Sequence, residues 1–285
     1  MMTELPLRYM DQESAIRLIR SLGYDGVDIT LLNAMDDQDE MRRGDFREHA
    51  KHLGEVCKEI GLTPVQAHAP FPIHKEGDGA YNTKMLEVTK QCLEICSLIG
   101  IPVLVIHPWN NWDAEENKTR WFSRLYPEAE RDRVIIATEN MWNWDKSKNR
   151  ATKAACSSPK DFFALCALMN RPYFKACVDV GHANMFPFDP TISPAKMIKT
   201  LGNQYVRALH LHDNDGWHDL HQVPMAPGGT LDWTATLQAL KDIRYSFDLV
   251  AETAISHEAS LANLIKQAQE QKEVLEYFRR FLLAK

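Results

Sequence analysis

Short apolar runs rich in β-branched residues alternate along this chain with longer stretches whose apolar positions recur every three or four residues. The runs occupy residues 26–30, 64–68, 103–107, 134–139, 174–179, 206–212 and 247–253, and each predicts a β-strand. Between them the 3.6-residue period predicts amphipathic helices over 12–22, 46–60, 83–98, 160–169, 233–242 and 261–283. Strict alternation of strand and helix implies a parallel sheet with helices packed outside it. An eighth strand is expected over 5–9. That segment is a weak strand, so either the barrel opens with a short or irregular first strand or that strand is missing. Gly23, Gly61 and Gly100 each follow a helical stretch and precede a strand, the place where a left-handed glycine ends a helix. No linker, low-complexity tract or break in composition interrupts the pattern, which reads as one (β/α)8 barrel over residues 1–285.

Composition changes this picture little. The chain has 285 residues, 45% hydrophobic and 25% charged, enough for one large core. Its net charge of −6 argues against a nucleic-acid partner, although a local basic patch would suffice for one. The six cysteines, at positions 57, 92, 96, 156, 166 and 177, form no CxxC pair, and several fall in apolar stretches where a reduced thiol packs as a small hydrophobe. No apolar segment approaches the length of a membrane span, and the first residues lack a leader pattern. A soluble, cytoplasmic protein is expected, as a monomer or a homo-oligomer.

The chemistry lies in what ends each strand. His68, His107, Glu139, Asp179, His210 and Glu252 each stand at the end of a predicted strand. Six consecutive strands thus deliver a His or a carboxylate to one rim, the face where α/β barrels carry their active sites. A lone His there is ordinarily a hydrogen-bonded structural residue, and a lone carboxylate a helix cap. Six together, all of metal-ligand type and converging on one axis, point to a metal centre. His182 follows Asp179 by three residues, and Asp219 and His221 lie two apart in the loop after the His210 strand. Asp145 lies six residues beyond Glu139, and His212 would face inward like His210. Trp109, Trp142 and Trp217 join Phe71, Trp112, Trp144 and Phe186 near the same rim, where aromatic rings either wall a pocket and stack on a sugar or simply cap the barrel.

With these residues in place, the chain resembles the xylose isomerase-like TIM barrel superfamily, which contains sugar and sugar phosphate isomerases and epimerases and also endonuclease IV. The resemblance runs from Gly23 to Glu252. Its most specific parts are Glu139-Asn140, Asp179-Val-Gly-His182, His210-Leu-His-Asp213 and Asp219-Leu-His221 followed by Pro227-Gly-Gly229. The tagatose/psicose 3-epimerase branch implies a single divalent ion on Glu139, Asp179, His210 and Glu252, with His212 competing with His210 for its place. It implies substrate contacts by His182 and Asp145. His68, His107, Trp109, Trp142 and Trp217 are further candidates for substrate contact. That branch carries an Arg six residues past the ligand His, where this chain has Gly216, so the grip on substrate there differs. The endonuclease IV branch implies a larger ligand set, and the matching residues are all present: His68, His107, Glu139, Asp179, His182, His210, Asp219, His221 and Glu252.

The resemblance implies an enzyme acting on a small sugar or sugar phosphate with a bound Mn, Zn, Co or Mg ion. Proton abstraction beside a carbonyl would give a metal-stabilised enediolate, with Glu139 and Glu252 exchanging the proton. Two alternatives stay open: a multinuclear zinc phosphodiesterase like endonuclease IV, and a metal-dependent sugar-binding barrel without catalysis.

Overall fold

In the computed structural model, which describes residues 1–284, the chain runs α1 (Gln12–Ser21), β1 (Gly26–Thr30), α2 (Phe46–Ile60), β2 (Thr63–His68), α3 (Gly79–Ile99) and β3 (Val103–Ile106). It continues through α4 (Ala114–Asn117), α5 (Ser123–Asp132), β4 (Ile135–Glu139), β5 (Trp142–Asp145), β6 (Arg150–Lys153), α6 (Pro159–Met169), β7 (Phe174–Asp179) and α7 (Val180–Asn184). It ends with α8 (Pro194–Tyr205), β8 (Val206–His210), α9 (Trp233–Asp242) and α10 (Leu261–Leu283). Six strands pair in parallel in the order β1-β2-β3-β4-β7-β8.

Local sequence sets these boundaries. Asp11, Asp45 and Asp78 accept from the backbone amides of Ser14, Glu48 and Tyr81, capping α1, α2 and α3. Gly61 (φ 67°) and Gly100 (φ 92°) end α2 and α3 in the left-handed region. Side chains then alternate along each strand. Leu104, Ile106, Ile136, Val178 and Leu209 join the large core shared with the helices. Val103, Val105, Ala137, Cys177 and Ala208 instead pack together as a separate cluster of small residues. The latter set shares its strand face with Glu139, Asp179 and His210, so the small side chains fill the barrel beneath the polar rim.

Residues 5–9 do not form the eighth strand. Pro6 locks its own φ and lacks an N–H for a ladder, and Pro6–Arg8 turns as a 3-10 helix, with the Tyr9 amide donating to the Pro6 carbonyl at 2.9 Å. The first stave is instead the start of the chain. Met2 bridges Asp28 in parallel, and the Asp28 and Thr3 amides donate to the Met1 and Asp28 carbonyls, both at 2.9 Å. The run at 247–253 is likewise reduced to one parallel bridge, Leu211 to Ala251. The two edges meet where Met2, Val65 and Val250 pack together. The antiparallel hairpin β5–β6, which the apolar pattern did not signal, stands after β4.

Candidate metal centre

The strand ends bring the polar rim together. Thr30 pairs with His68, His68 with Val105, and Asp179 with His210, so neighbouring strands deliver their last side chains at one level. Glu139 lies at the middle. Its Oε2 stands 3.4 Å from His107 Nε2, 3.4 Å from His210 Nδ1 and 3.7 Å from His68 Nε2, and its Oε1 lies 3.1 Å from His182 Nδ1. His210 Nδ1 lies 2.7 Å from Glu252 Oε2 and 3.9 Å from Asp179 Oδ2. Glu139, Asp179, His210 and Glu252 each offer an atom within 4.8 Å of the others, as do His68, His107 and Glu139. A further group joins His182, His212, Asp219 and His221.

Three histidines share one orientation. His68, His182 and His221 place Nδ1 2.8, 2.9 and 3.3 Å from the backbone carbonyls of Ala69, Asn140 and Glu252. A carbonyl only accepts, so Nδ1 carries a proton and Nε2 is the nitrogen turned into the centre. For His182 and His221 that Nε2 faces Asp219 Oδ2, at 3.2 and 3.1 Å. His221 holds a left-handed φ of 47°, a conformation a β-carbon disfavours and one that collects at functional sites.

The charges are mutually enforced. Burial opposes ionisation of Glu139, yet His210, His107 and His182 hold its carboxyl well below the usual range. Burial likewise disfavours charge on His210 and His182, but the surrounding Glu and Asp side chains, with Cys177 beside His210, raise both well above the ordinary imidazole value. His221, against burial, is pushed up to about 9 by Asp219 and Glu252.

Several residues hold this arrangement without joining it. The Asn140 side chain clamps β4 to β7, donating to the Asp179 carbonyl and accepting from the Asp179 amide, both at 2.9 Å. His212 Nε2 donates to both Asp179 oxygens, at 3.0 and 3.1 Å. Its ring stacks on His221 with centroids 4.1 Å apart. Gly181 lies so close that a β-carbon there would overlap the His212 ring. Asp213 accepts from Trp233 Nε1 (2.6 Å) and from the Asn214, Leu231 and Met225 amides, and Gly229 leaves room for its carboxylate. Sequence reasoning assigned Asn140, Asp213 and Gly229 no role, although all three stand in the motifs that carried the resemblance.

Above the ligands lies a pocket of about 320 Å³ whose wall includes Phe71, His107, Trp109, Trp142, His182 and Glu252. Of the predicted substrate contacts, His68, His107, Trp109, Trp142 and His182 line it, and Phe71 and Met141 add apolar wall. Asp145 and Trp217 lie outside it. Asp145 closes the β5–β6 turn through Ser147 and pairs with Lys148 at 3.0 Å, and Trp217 is 44% exposed. A larger groove, of about 610 Å³, opens at the opposite end of the barrel between Tyr24, Phe247 and α10. None of the groups of ligand-type side chains lies there.

The residues fit a divalent ion. Glu139 Oε2, His210 Nδ1 and Asp219 Oδ1 are buried and make no hydrogen bond. Leaving such atoms unpaired costs about 1–3 kcal/mol each, so their partner belongs in the centre itself. Ligand atoms about 2.1 Å from one ion stand about 3.0–3.4 Å apart. His210 Nδ1 stands 2.7, 3.4 and 3.9 Å from Glu252, Glu139 and Asp179, distances spread around that spacing.

Known proteins agree with this architecture. A curated relative, the uncharacterized protein MJ1311 of Methanocaldococcus jannaschii, is 24% identical over 243 residues, covering 80% of this chain and 75% of its own. Among solved structures, a D-tagatose 3-epimerase-like protein superposes with a TM-score of 0.71 at 20% identity, covering 94% of this chain and 93% of its own. The IOLI protein, solved with a bound zinc atom, gives 0.68 at 18% identity, covering 97% and 94%. These likenesses are of fold. The profile described as Xylose isomerase-like TIM barrel matches residues 16–281, and the chain belongs to that family.

Proposed function

We propose that this chain is a divalent-metal-dependent sugar isomerase or epimerase. The observation that carries this reading is the grouping of Glu139, Asp179, His210 and Glu252, of which Glu139 and Glu252 line an aromatic-walled pocket. The mixed nitrogen and oxygen donors suit Mn, Zn, Co or Mg. A bound ion would supply Lewis-acid polarisation of a carbonyl and an adjacent hydroxyl. Glu139 and Glu252 stand on staves separated by those of Asp179 and His210, so their carboxylates reach the pocket from different sides. One accepts the proton from the carbon beside the carbonyl and the other returns it. Return to the same carbon on the opposite face gives epimerisation; transfer along one face to the neighbouring carbon, with the hydroxyl proton passing to the former carbonyl oxygen, gives aldose–ketose isomerisation. His68, His107, Trp109, Trp142 and His182 orient a sugar or sugar phosphate and exclude water from the reacting carbon.

One observation favours a second reading. His68, His107 and Glu139 form a ligand group of their own, and His182, Asp219 and His221 belong to another. Two or three ions there would suit an endonuclease IV-like zinc phosphodiesterase. The test is to load the protein with Mn or Zn and incubate it in D2O with keto sugars, and in parallel with abasic-site DNA. The sugar reading expects deuterium at the carbon beside the carbonyl and intact DNA. Incision of the DNA with no deuterium in any sugar contradicts it. A metal-dependent sugar-binding barrel without catalysis would bind the sugars and exchange no deuterium.

A further inference from the structure

A line of aromatic rings leads out of the pocket along the β5–β6 hairpin. Trp142, in the pocket wall, stands 6.3 Å from the His182 ring. Trp144, two residues on and so on the same face of β5, lies 6.3 Å from Trp142 and 5.7 Å from the His218 ring. The loop that carries His218 also carries Trp217, and Asp215 fixes it by accepting from both their amides at 2.8 Å and pairing with His218 Nδ1 at 2.8 Å. Trp217 stacks on Phe188 at 6.4 Å, and the Arg150 guanidinium sits 4.1 Å from the Phe188 centroid. Trp217 and Phe188 are 44% and 40% exposed, while Asp219, two residues past Trp217, reaches His182 in the centre.

The shelf of Trp144, Phe188, Trp217 and His218 lies outside the pocket in which the reaction is placed. At about 320 Å³ the pocket is at the small end for ligand sites. Beside it, the exposed ring surface of Trp217 and Phe188 alternates with the polar groups of His218 and Arg150. A sugar ring, with apolar C–H faces and hydroxyl edges, matches that alternation. Trp142 belongs both to the pocket wall and to the row of rings, 6.3 Å from Trp144.

We propose that Trp144, Phe188, Trp217 and His218 form a second subsite that holds an additional sugar ring, making the substrate a glycoside of a keto sugar rather than a lone monosaccharide. This rests on the sugar reading above. The test is titration calorimetry of the zinc-loaded protein with D-fructose and with three glucosyl-fructoses of different linkage: turanose, maltulose and palatinose. The best disaccharide is expected to bind roughly three- to tenfold tighter than fructose. Trp217→Ala and Phe188→Ala should each abolish that gain and leave fructose affinity unchanged, with the fold intact by circular dichroism, since both side chains lie outside the pocket. Equal affinity for fructose and all three disaccharides, or a gain that survives both variants, overturns the proposal while leaving the sugar reading standing. Failure of every sugar to bind removes the sugar reading and the shelf with it. Sedimentation in which either variant turns a dimer into a monomer also overturns it, because the shelf is then an interface between copies of the chain.

Discussion

Gly181 and His212 interlock at the end of β7: only a residue without a β-carbon leaves space for the His212 ring, and that ring donates to both oxygens of Asp179. The glycine therefore acts on the centre through two intermediaries. Gly181→Ala should push His212 aside and free Asp179 to rotate, weakening zinc affinity about 10- to 100-fold, the usual effect of losing a partner behind a ligand. Competition with a chromophoric chelator measures this, and unchanged affinity would show that His212 does not hold Asp179 in place.

Glu139→Gln keeps the shape of the side chain and removes its capacity to take up a proton. Turnover should fall by about 10²- to 10⁴-fold with the fold preserved, as read by solvent deuterium exchange alongside circular dichroism. Near-normal exchange would remove Glu139 from proton transfer.

The rim was visible in the sequence because the barrel turns position along a strand into position in space. Any residue that ends a parallel strand is carried to the same face, so His68, Glu139, Asp179 and His210 could be placed together before their distances were known. The edges were less legible. Residues 247–253 read as a strand from their apolar content, but Phe247 sits exposed under Arg207 and only Leu211 and Ala251 form a bridge. Residues 5–9, a poor strand by their pattern, form none, because Pro6 has no N–H for a ladder. The support beneath the ligands was least legible of all, since the roles of Asn140 and Asp213 depend on hydrogen bonds between segments 39 and 20 residues apart. Nothing in periodicity or spacing reports such partners.

Asp213 offers a test of that support. It is 1% exposed and receives four donors. Asp213→Ala leaves those donors buried and unpaired, and should cost about 3 kcal/mol in denaturant unfolding. A loss below about 0.5 kcal/mol would mean that the Pro227–Gly229 turn does not depend on this carboxylate.

Metal uptake should depend on pH with a defined sign. In the metal-free chain His182 and His210 are held protonated well above the ordinary imidazole range, and His221 up to about 9. A ligand must give up its proton to bind an ion, so zinc uptake at neutral pH should release protons and its apparent affinity should weaken as pH falls. Calorimetry in buffers of differing ionisation heat counts those protons. Binding without proton release would contradict the charge pattern of the centre.

The most direct measurement separates the two chemistries that one ligand set can support. Three zinc ions cannot be held by four residues, whereas a single-ion sugar enzyme needs only Glu139, Asp179, His210 and Glu252. The double variant Asp219→Ala with His221→Ala should retain at least one tightly bound divalent ion by elemental analysis. The wild type should exchange solvent deuterium into a keto sugar and leave abasic-site DNA intact. Incision of that DNA by the wild type, lost in the double variant together with most of its metal, would contradict the account and identify a multinuclear phosphodiesterase.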